Sequence, residues 1–456
     1  TMPDRDTRPS ARVAFAIALA ALAAATPTPA ADLPADRARA IDQFVERFVD
    51  LAMFDGTVIV DVGGEVVYER SFGYANYELG VRHGPDTRFR IASTSKTLTD
   101  AAVAVLVAEG KLSVDDPLSR YLPDFPSAGK IRISQLLDHT SGIPHTNRQP
   151  WGDAKTSYTL DEIVAKLAEL PLDFEPGSNS SYSNGGYAVA SKVLEVVGGG
   201  TYAEVMRRTV FEPLGMEDTA HLADARAPIP GMATGYEPGA FPGERRHARF
   251  YAVETRPGGG SLYSTPGDLL KFMRAVFRDD FVKPELRRTI LGDDEDSFLA
   301  AGRSPGFVCN AYFERDEDVI VISNHNSYAV PSDWARAIAD LATGRVDGEP
   351  WGELRMAEPT VPADDPRLGR FEASYVGRER LIERSPRGAM IVEDEQSEST
   401  TAFIPLVDGS FLFPLYFQRC VQDENRVITC RMLSGEERYT SVYTPVVEHL
   451  PGPPSM

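Results

Sequence analysis

The amino-acid sequence predicts an α+β fold followed by a small all-β domain. Two stretches of strand-like pattern, at residues 56–70 and 306–324, bracket a long segment of helical spacing and loops. From residue 366 onward, short strand candidates follow one another at regular spacing. The first pattern predicts an antiparallel sheet covered by helices and carrying a helical insertion, and the second predicts a small barrel or sandwich.

Residues 1–31 have the pattern of an export signal. Three arginines, at positions 5, 8 and 12, precede an apolar run over residues 13–25, and small residues follow it. The run is shorter than the roughly 20 residues that a membrane-spanning helix needs. We therefore expect a periplasmic or secreted mature protein without a stable membrane span; the alternative for this segment is a buried alanine-rich helix.

The overall charge limits the classes of partner. The chain has 456 residues and a formal net charge of −20. An acidic surface repels nucleic-acid phosphates and anionic lipid, so we expect neither as a partner. A local pocket can still carry the opposite charge, so the overall value does not identify a substrate.

The first domain is expected at residues 35–343. A helix is predicted at 38–51, then a hairpin over 56–70 that turns at two glycines, then a helix over 98–112 that ends near Gly110. Residues 113–250 are mainly helices and loops, so a helical subdomain is expected at about 100–250. The further elements predicted in this domain are helices at 160–167 and 187–197, strands at 306–310 and 318–324, and a helix at 332–341.

A linker and a C-terminal β domain are expected after this domain. Residues 344–365 are rich in Gly, Pro, Glu and Asp, which is typical of a linker. Residues 366–456 then form the β domain. Its strand candidates are 368–375, 389–393, 400–407, 410–417, 426–433 and 440–447.

The chain has three cysteines, and they do not indicate a metal site. Cys420 and Cys430 flank a turn-like stretch between two strand-like runs. In an oxidising compartment they are placed to close a hairpin disulfide, and two packed thiols are the alternative. Cys309 stands far from both in sequence. The seven histidines form no paired-ligand pattern, so we expect no metal and no cofactor.

The motif Ser93-Thr-Ser-Lys96 carries the first candidate catalytic residues. A serine hydroxyl becomes a good nucleophile only when a base takes its proton. A lysine three residues later on a helix lies on the same face, and a desolvated lysine can be neutral and act as that base. The spacing also occurs at Ser127 and Lys130, in what is predicted to be a loop with no helix after it. The motif alone is therefore weak.

A second candidate motif is Tyr182-Ser-Asn184. A tyrosine beside a lysine can carry a proton to or from a leaving group, and an asparagine offers a substrate amide one donor and one acceptor. The same spacing occurs at Tyr74 and Asn76, where a tyrosine at the end of a strand is the better interpretation.

The order and context of the motifs resemble the serine beta-lactamase and penicillin-binding-protein superfamily, in its class C beta-lactamase-like branch. That branch includes D-alanyl-D-alanine carboxypeptidases, D-aminopeptidases and related carboxylesterases. The resemblance rests on seven segments in the family's order, at residues 54–60, 87–96, 136–144, 182–184, 212–219, 258–268 and 319–324.

The resemblance implies a beta-lactamase/transpeptidase-like domain with its active site between the sheet domain and the helical subdomain. It implies Ser93 as nucleophile, Lys96 as its activating partner, Tyr182 as acid/base in the second half-reaction, and Asn184 as a ligand for the acyl-side amide. By the same analogy His139 is structural. The substrate is then a small molecule or a peptide, cleaved through an acyl-enzyme.

The family's third motif is altered in this chain. It consists of Lys or His, a variable residue and Gly, on the strand that edges the site. Aligned on the Pro-Gly-Phe sequence at 305–307, these positions are Ala300, Ala301 and Gly302. The cation that would contact a substrate carboxylate or support the tyrosine is therefore missing.

The altered motif bears on both binding and activity. The resemblance implies an oxyanion hole made by the backbone N–H groups of Ser93 and Arg303, and because Gly302 is kept, we expect it still to form. The Arg303 side chain is one candidate to replace the cation. The loss favours an esterase, peptidase or amidase over a beta-lactamase or D-alanyl-D-alanine carboxypeptidase. A catalytically weak or inactive binding or sensor protein is a further alternative. The C-terminal unit is similar to the lipocalin-like domains of some members.

Overall fold

A computed structural model describes residues 33–347 except 150–151, 153–155, 240–242, 279–280, 284–285, 288–295, 328–329 and 331–332, and beyond them short segments, mainly strands, between residues 350 and 445. The predicted export signal and most of the predicted linker lie outside the described residues. Among the described residues, no helix is long and apolar enough to cross a membrane.

The helices fall before, within and after the predicted helical insertion. In chain order the α-helices are α1 (Ala35–Asp50), α2 (Ser95–Ala108), α3 (Ile133–Leu137), α4 (Leu160–Ala168), α5 (Asn184–Gly198), α6 (Tyr202–Met206), α7 (Pro266–Phe277) and α8 (Trp334–Thr343). A π-helical turn at Arg207–Phe211 continues α6. Helix α2 begins three residues earlier than its apolar spacing predicts, because its first turn carries polar, buried side chains.

The strands of the first unit form one large sheet and three small ones. In chain order they are β1 (Gly56–Val62), β2 (Glu65–Phe72), β3 (Tyr74–Asn76), β4 (Val81–Arg82), β5 (Phe89–Arg90), β6 (Ala220–His221), β7 (Tyr236–Pro238), β8 (Arg245–His247), β9 (Leu262–Ser264), β10 (Ser297–Ser304), β11 (Phe307–Glu314) and β12 (Val319–His325). The large sheet has the order β10-β11-β12-β1-β2, and the small sheets are β5-β9-β6, β3-β4 and β7-β8.

The large sheet is antiparallel throughout and joins the two ends of the unit. Strand β1 pairs with its hairpin partner β2 on one side and with β12 on the other, with Ile59 opposite Ile322. Strand β10 pairs with β11 and forms the far edge. This arrangement confirms the predicted antiparallel sheet, and it gives the sheet an edge strand that the helical insertion can approach.

Both faces of the sheet are covered. One face packs on α1 and α8 through a cluster that includes Phe44, Phe48 and Trp334. The other face packs on α7, in an apolar cluster that also contains residues of α2, which explains why β1 reads as a nearly continuous apolar run. The exception is the fully buried Asp61, whose carboxylate accepts hydrogen bonds from Arg274 and from Arg278. The pairing removes the cost of burying an isolated charge.

The C-terminal strands close into an eight-stranded barrel, which confirms the predicted small β domain. They are β13 (Gly369–Ala373), β14 (Arg378–Arg384), β15 (Met390–Asp394), β16 (Ser399–Pro405), β17 (Phe411–Phe413), β18 (Gln418–Gln422), β19 (Ile428–Met432) and β20 (Ser441–Pro445). Consecutive strands are neighbours, and β13 pairs with β20 to close the barrel. Such up-and-down barrels occur in lipocalins. Sequence analysis missed β14, whose charged residues hide its alternation, and β18.

Cys420 and Cys430 form a disulfide. They stand opposite each other on β18 and β19, and both are fully buried. The structure thus decides between the two alternatives that the sequence left open. Cys309, on β11, is a buried free thiol.

We expect loss of this disulfide to destabilise the barrel by about 2 to 3 kcal/mol, because the bond closes a short loop in the unfolded chain. The change is the double variant Cys420→Ala and Cys430→Ala, which keeps small apolar groups in the buried positions. The measurement is hydrogen exchange in peptides covering residues 411–432. Reductant should accelerate exchange in the wild type and leave the variant unaffected; equal exchange in both proteins without reductant would contradict the expectation.

Candidate active site

Ser93 lies in a 3₁₀ turn, Ala92–Thr94, that leads from β5 into α2. The turn is held against β9, because the Ile91 N–H donates to the Leu262 carbonyl at 3.1 Å and the Leu262 N–H donates to Ser95 Oγ at 3.2 Å. Ala92 has φ of +45°, a left-handed conformation that is unfavourable for a residue with a Cβ. The fold therefore presents Ser93 on a strained turn at the N-terminus of a buried helix.

Lys96 lies in the first turn of α2, and only 7% of the residue is exposed. Its Nζ donates to Asn184 Oδ1 at 2.7 Å and to the Gly259 carbonyl at 2.6 Å, and lies 3.4 Å from Ser93 Oγ. Burial lowers the pKa of Lys96 to about 7; Asp100 opposes this shift, and the positive charge of Arg256 adds to it. The amine is thus poised to change its charge near neutral pH.

Asp100 is the acidic group near Lys96. It is 6% exposed, and both its carboxyl oxygens accept from the Tyr187 hydroxyl, at 3.0 and 3.1 Å. Burial raises the pKa of Asp100 well above its ordinary value, although the hydrogen bond from Tyr187 and the charge of Lys96 oppose the shift.

Tyr182 contacts Ser93, the predicted nucleophile, directly. Its hydroxyl lies 2.7 Å from Ser93 Oγ, and the centre of its ring lies 4.7 Å from Lys96 Nζ. Although 43% of the residue is exposed, burial around its hydroxyl raises the pKa of Tyr182, and the hydrogen bond with Ser93 opposes the shift. The structure therefore brings together Ser93, Lys96, Tyr182 and Asn184.

Two histidines support the segment that carries Tyr182. The Nδ1 atom of His139 accepts from the Ser183 N–H at 3.3 Å, and that of His145 accepts from the Asn184 N–H at 3.2 Å. Their rings lie 4.6 and 5.5 Å from the Tyr182 ring. Burial lowers the pKa of each histidine to about 4, and the charges of Lys96 and, for His145, Arg148 add to the shift. Both rings are thus neutral acceptors at neutral pH.

The edge strand β10 lies against the Ser93 turn at Gly302. A Cβ on Gly302 would lie 2.0 Å from the Ile91 carbonyl oxygen, so glycine is required there. Thr94 Oγ1 donates to the Ala300 carbonyl at 3.4 Å. Because side chains alternate along a strand, Ala300 and Gly302 share the face toward this turn.

The Arg303 side chain is directed elsewhere. Its Nη2 donates to the Val330 carbonyl at 2.6 Å, and it belongs to the opposite face of β10 from Gly302. The idea that the Arg303 guanidinium replaces the missing Lys or His is therefore not favoured by this geometry. Its backbone N–H remains beside Gly302.

Sequence analysis missed His145, Asn147 and Gly259, which contact the motif residues from distant parts of the chain, and Arg256, which contacts Asn147. A weak signal existed for Gly259, which stands in a run of three glycines. Within the described residues, no group of three or more His, Cys, Asp or Glu side chains is arranged to hold a metal ion.

We expect His139 to lower the free energy of unfolding as the pH falls. The unfolded histidine binds a proton near pH 6.5 and the folded one only near 4, so its effect on stability is absent above about 6.5 and grows as pH falls toward 4. His139→Asn tolerates the φ of +65° at this position and keeps an acceptor. Between pH 6.5 and 4, the unfolding free energy of this variant should fall by less than that of the wild type. The difference between the two decreases should be at most about 3 kcal/mol.

The measurement is urea unfolding between pH 4 and 7.5. Parallel curves for His139→Asn and the wild type would exclude the proposed cause.

Comparisons with known proteins show which family the chain matches. The chain matches the beta-lactamase family over residues 38–315. It is 31% identical to penicillin-binding protein 4* of Bacillus subtilis over 242 residues, 50% of this chain and 53% of that protein. It is 27% identical to the teichoic acid D-alanine hydrolase of Staphylococcus aureus over 247 residues, 54% of this chain and 60% of that protein. The matches thus span between half and two thirds of these relatives.

A solved structure has a similar fold. The D-amino acid amidase of Ochrobactrum anthropi SV3 matches with a TM-score of 0.60 at 23% identity, over 68% of this chain and 98% of that one. At this identity the likeness concerns the fold alone. Because the family match covers more than half of the sequence, the chain belongs to the beta-lactamase family, as the order of its motifs predicted, and so to a family of serine hydrolases.

Proposed function

We propose that the chain hydrolyses an ester or amide bond through an acyl-enzyme on Ser93. The observation that carries the proposal is the placement of Ser93 Oγ between Tyr182 Oη, at 2.7 Å, and Lys96 Nζ, at 3.4 Å. A neutral amine has two hydrogens and one lone pair. With the hydrogens donated to Asn184 and Gly259, the lone pair is left for Ser93.

The first half-reaction follows from this arrangement. Lys96 takes the proton of Ser93 as Oγ attacks the substrate carbonyl, and the carbon–oxygen double bond opens to an oxyanion. The N–H groups of Ser93 and Arg303 stabilise the oxyanion, supported by the close packing of Gly302 on the Ser93 turn. As the oxyanion collapses, the leaving group departs with a proton from Tyr182.

In the second half-reaction, Tyr182 accepts a proton from water as the water attacks the acyl-enzyme, and Ser93 recovers its hydrogen from Lys96. Asn184 keeps the Lys96 amine in place and contributes to binding of the acyl-side amide. No metal or cofactor takes part in these steps.

The substrate we favour is a D-aminoacyl ester or amide without a free carboxylate on its leaving group. One relative is named a teichoic acid D-alanine hydrolase, and one protein of the same fold is named a D-amino acid amidase. The third motif lacks its cation at Ala300, and the Arg303 guanidinium binds the Val330 carbonyl instead. A penicillin or a D-alanyl-D-alanine peptide would therefore find no cation at this position.

We further propose that the protein is exported and works in the periplasm or outside the cell. The signal-like pattern of residues 1–31 and the Cys420–Cys430 disulfide support this location, because disulfides persist in oxidising compartments. The division into residues 35–343, a linker at 344–365 and a β domain at 366–456 belongs to the same proposal. The resemblance to family members with appended lipocalin-like domains supports the further proposal that the barrel shapes the substrate entrance; a plain stabilising domain is the alternative.

We expect a fluorophosphonate probe to add once to the protein, on Ser93, because this hydroxyl is the activated one. Intact mass should show a single adduct on the wild type and none on Ser93→Ala. The control is Ser127→Gly, which alters the second Ser-x-x-Lys sequence at a residue with φ of +59° and should label like the wild type.

Absence of an adduct on the wild type would favour a binding or sensor protein. If the adduct forms, D-alanyl esters, D-alanine amides, an acyl-D-alanyl-D-alanine peptide and a penicillin should be compared at equal concentration. Faster cleavage of the last two would overturn the substrate class that we favour.

We also expect labelling to accelerate as pH rises through about 7, because Lys96 must lose its proton before it can act as base. Both histidines beside Tyr182 titrate near 4, so they do not cause an inflection near 7. Lys96→Arg, which stays charged, should label at least about 100-fold more slowly. The measurement is the second-order labelling rate between pH 5 and 9; a flat profile, or fast labelling of Lys96→Arg, would assign the base elsewhere.

A further inference from the structure

The side-chain amide of Asn184 can be placed in two orientations that differ by exchange of its oxygen and nitrogen. In the orientation found, Oδ1 accepts from Lys96 at 2.7 Å and Nδ2 donates to Asn147 Oδ1 at 3.3 Å. Exchange of the two atoms would turn an N–H group toward the donating amine of Lys96. A neutral amine can also accept from an N–H group, so Lys96 alone does not fix the orientation, and a neighbouring group must favour the productive one.

Arg256 supplies that preference. Its Nε donates to Asn147 Oδ1 at 2.9 Å, and a guanidinium donates hydrogen bonds but cannot accept them. The Asn147 atom that faces Arg256 must therefore be its oxygen. The same oxygen lies within reach of Asn184, so Asn184 must present its NH₂ group there and its oxygen to Lys96. The donor and acceptor roles thus follow in order from Arg256 to the catalytic amine.

Arg256 is itself firmly held. It is 4% exposed, Nη2 donates to the Gly152 carbonyl at 3.0 Å, and Nη1 donates to the Ala252 carbonyl at 3.3 Å and to Thr255 Oγ1 at 2.5 Å. Its guanidinium also lies 4.2 Å from the centre of the Tyr251 ring. These contacts fix the guanidinium before any substrate enters.

The backbone carbonyl of Arg256 holds the turn that carries the second acceptor of Lys96, the Gly259 carbonyl. Its carbonyl accepts from the N–H groups of Gly259 and Gly260, at 3.0 and 2.8 Å. This turn presents the Gly259 carbonyl to Lys96 Nζ at 2.6 Å. A Cβ on Gly259 would lie 3.0 Å from Asn184 Oδ1, so the approach is close. Both strong acceptors of the amine are therefore placed with the help of one arginine.

We propose that Asn147 and Arg256 are positioning residues of this site, which fix the Asn184 amide so that its oxygen holds the Lys96 amine against Ser93. This inference rests on the proposed role of Lys96 as base for Ser93. It assigns no direct contact with the reacting atoms to either residue.

The test separates placement of the amine from its charge. Asn147→Leu removes the acceptor but keeps the charge of Arg256, and Asn147→Asp keeps an acceptor for both neighbours. Because Asn147 is exposed, neither change opens a cavity in the core. The measurement is the rate of fluorophosphonate labelling at pH 9, where Lys96 is neutral, together with the full pH profile.

We expect the pH 9 rate of Asn147→Leu to fall about 10- to 100-fold, the cost of a misplaced catalytic group. Asn147→Asp should retain most of the pH 9 rate and move the inflection upward, because it adds a negative charge. Arg148→Met, in the same turn, is the control and should keep the wild-type rate at pH 9. Wild-type rates in both Asn147 variants, or equal losses in both, would overturn the proposal.

Arg256→Met provides a readout that does not need the reaction. The chain has only eight lysines, so selective ¹³C labelling of lysine yields few NMR signals, and Lys96→Met assigns the signal of interest. The Lys96 side chain also faces Asp100, Tyr182, Tyr187 and the two histidines, none of which this variant changes. At pH 9, where the amine is neutral, loss of the Arg256 guanidinium should shift the Lys96 signal, because the Asn184 oxygen no longer holds the amine in one place, and an unchanged signal in a folded variant would contradict the inference. If the wild type does not label at all, the proposed function fails while this NMR measurement still tests the contact.

Discussion

Burial of one lysine amine organises the candidate site. An ammonium group removed from water costs several kcal/mol unless hydrogen-bond acceptors replace the water. Lys96 finds its acceptors on α5 and on the turn before β9, while Ser93 precedes its own helix. Three segments that are far apart in sequence must therefore meet around a single atom. Lys96 Nζ needs acceptors from the helical insertion and from the turn before β9, and this helps to fix the insertion to the rest of the unit.

The edge strand of the large sheet, β10, forms another side of the candidate site. Strand β10 has a partner on one side only, and its other side carries Gly302 against the Ser93 turn. An edge strand has free backbone groups, which usually must be protected. Here the edge lies beside Ser93, the predicted nucleophile, where backbone N–H groups are useful to a developing oxyanion. The same feature that is a risk in most sheets is thus suited to catalysis.

The local motifs could be predicted from the sequence, whereas the contacts between them could not. The three-residue spacing of Ser93 and Lys96 fixes a shared helix face, and Tyr182 and Asn184 bracket a helix start, so both pairs follow from short-range geometry. Asn147 and Arg256 are separated by more than 100 residues, and no periodicity connects them. His145 was missed for the same reason, since its role depends on a loop that brings it to the Asn184 N–H. The strand β14 was missed because its charged residues hide the alternation of apolar residues that indicates a half-buried strand.

The way in which the sheet is assembled has a consequence for how such a protein can be modified. Strand β1 lies beside β12, and α1 lies against α8, where Arg37 donates to the Ala342 carbonyl at 3.0 Å. The start and the end of the unit are therefore close together and on the face that packs through Trp334, whereas Ser93 belongs to the α2 face of the sheet. A short peptide could join the two ends, and new termini could be opened in an exposed loop, with the order of the chain changed and the surroundings of Ser93 intact. The same proximity lets an additional unit be attached or exchanged at this end during evolution without a change to the residues around Ser93.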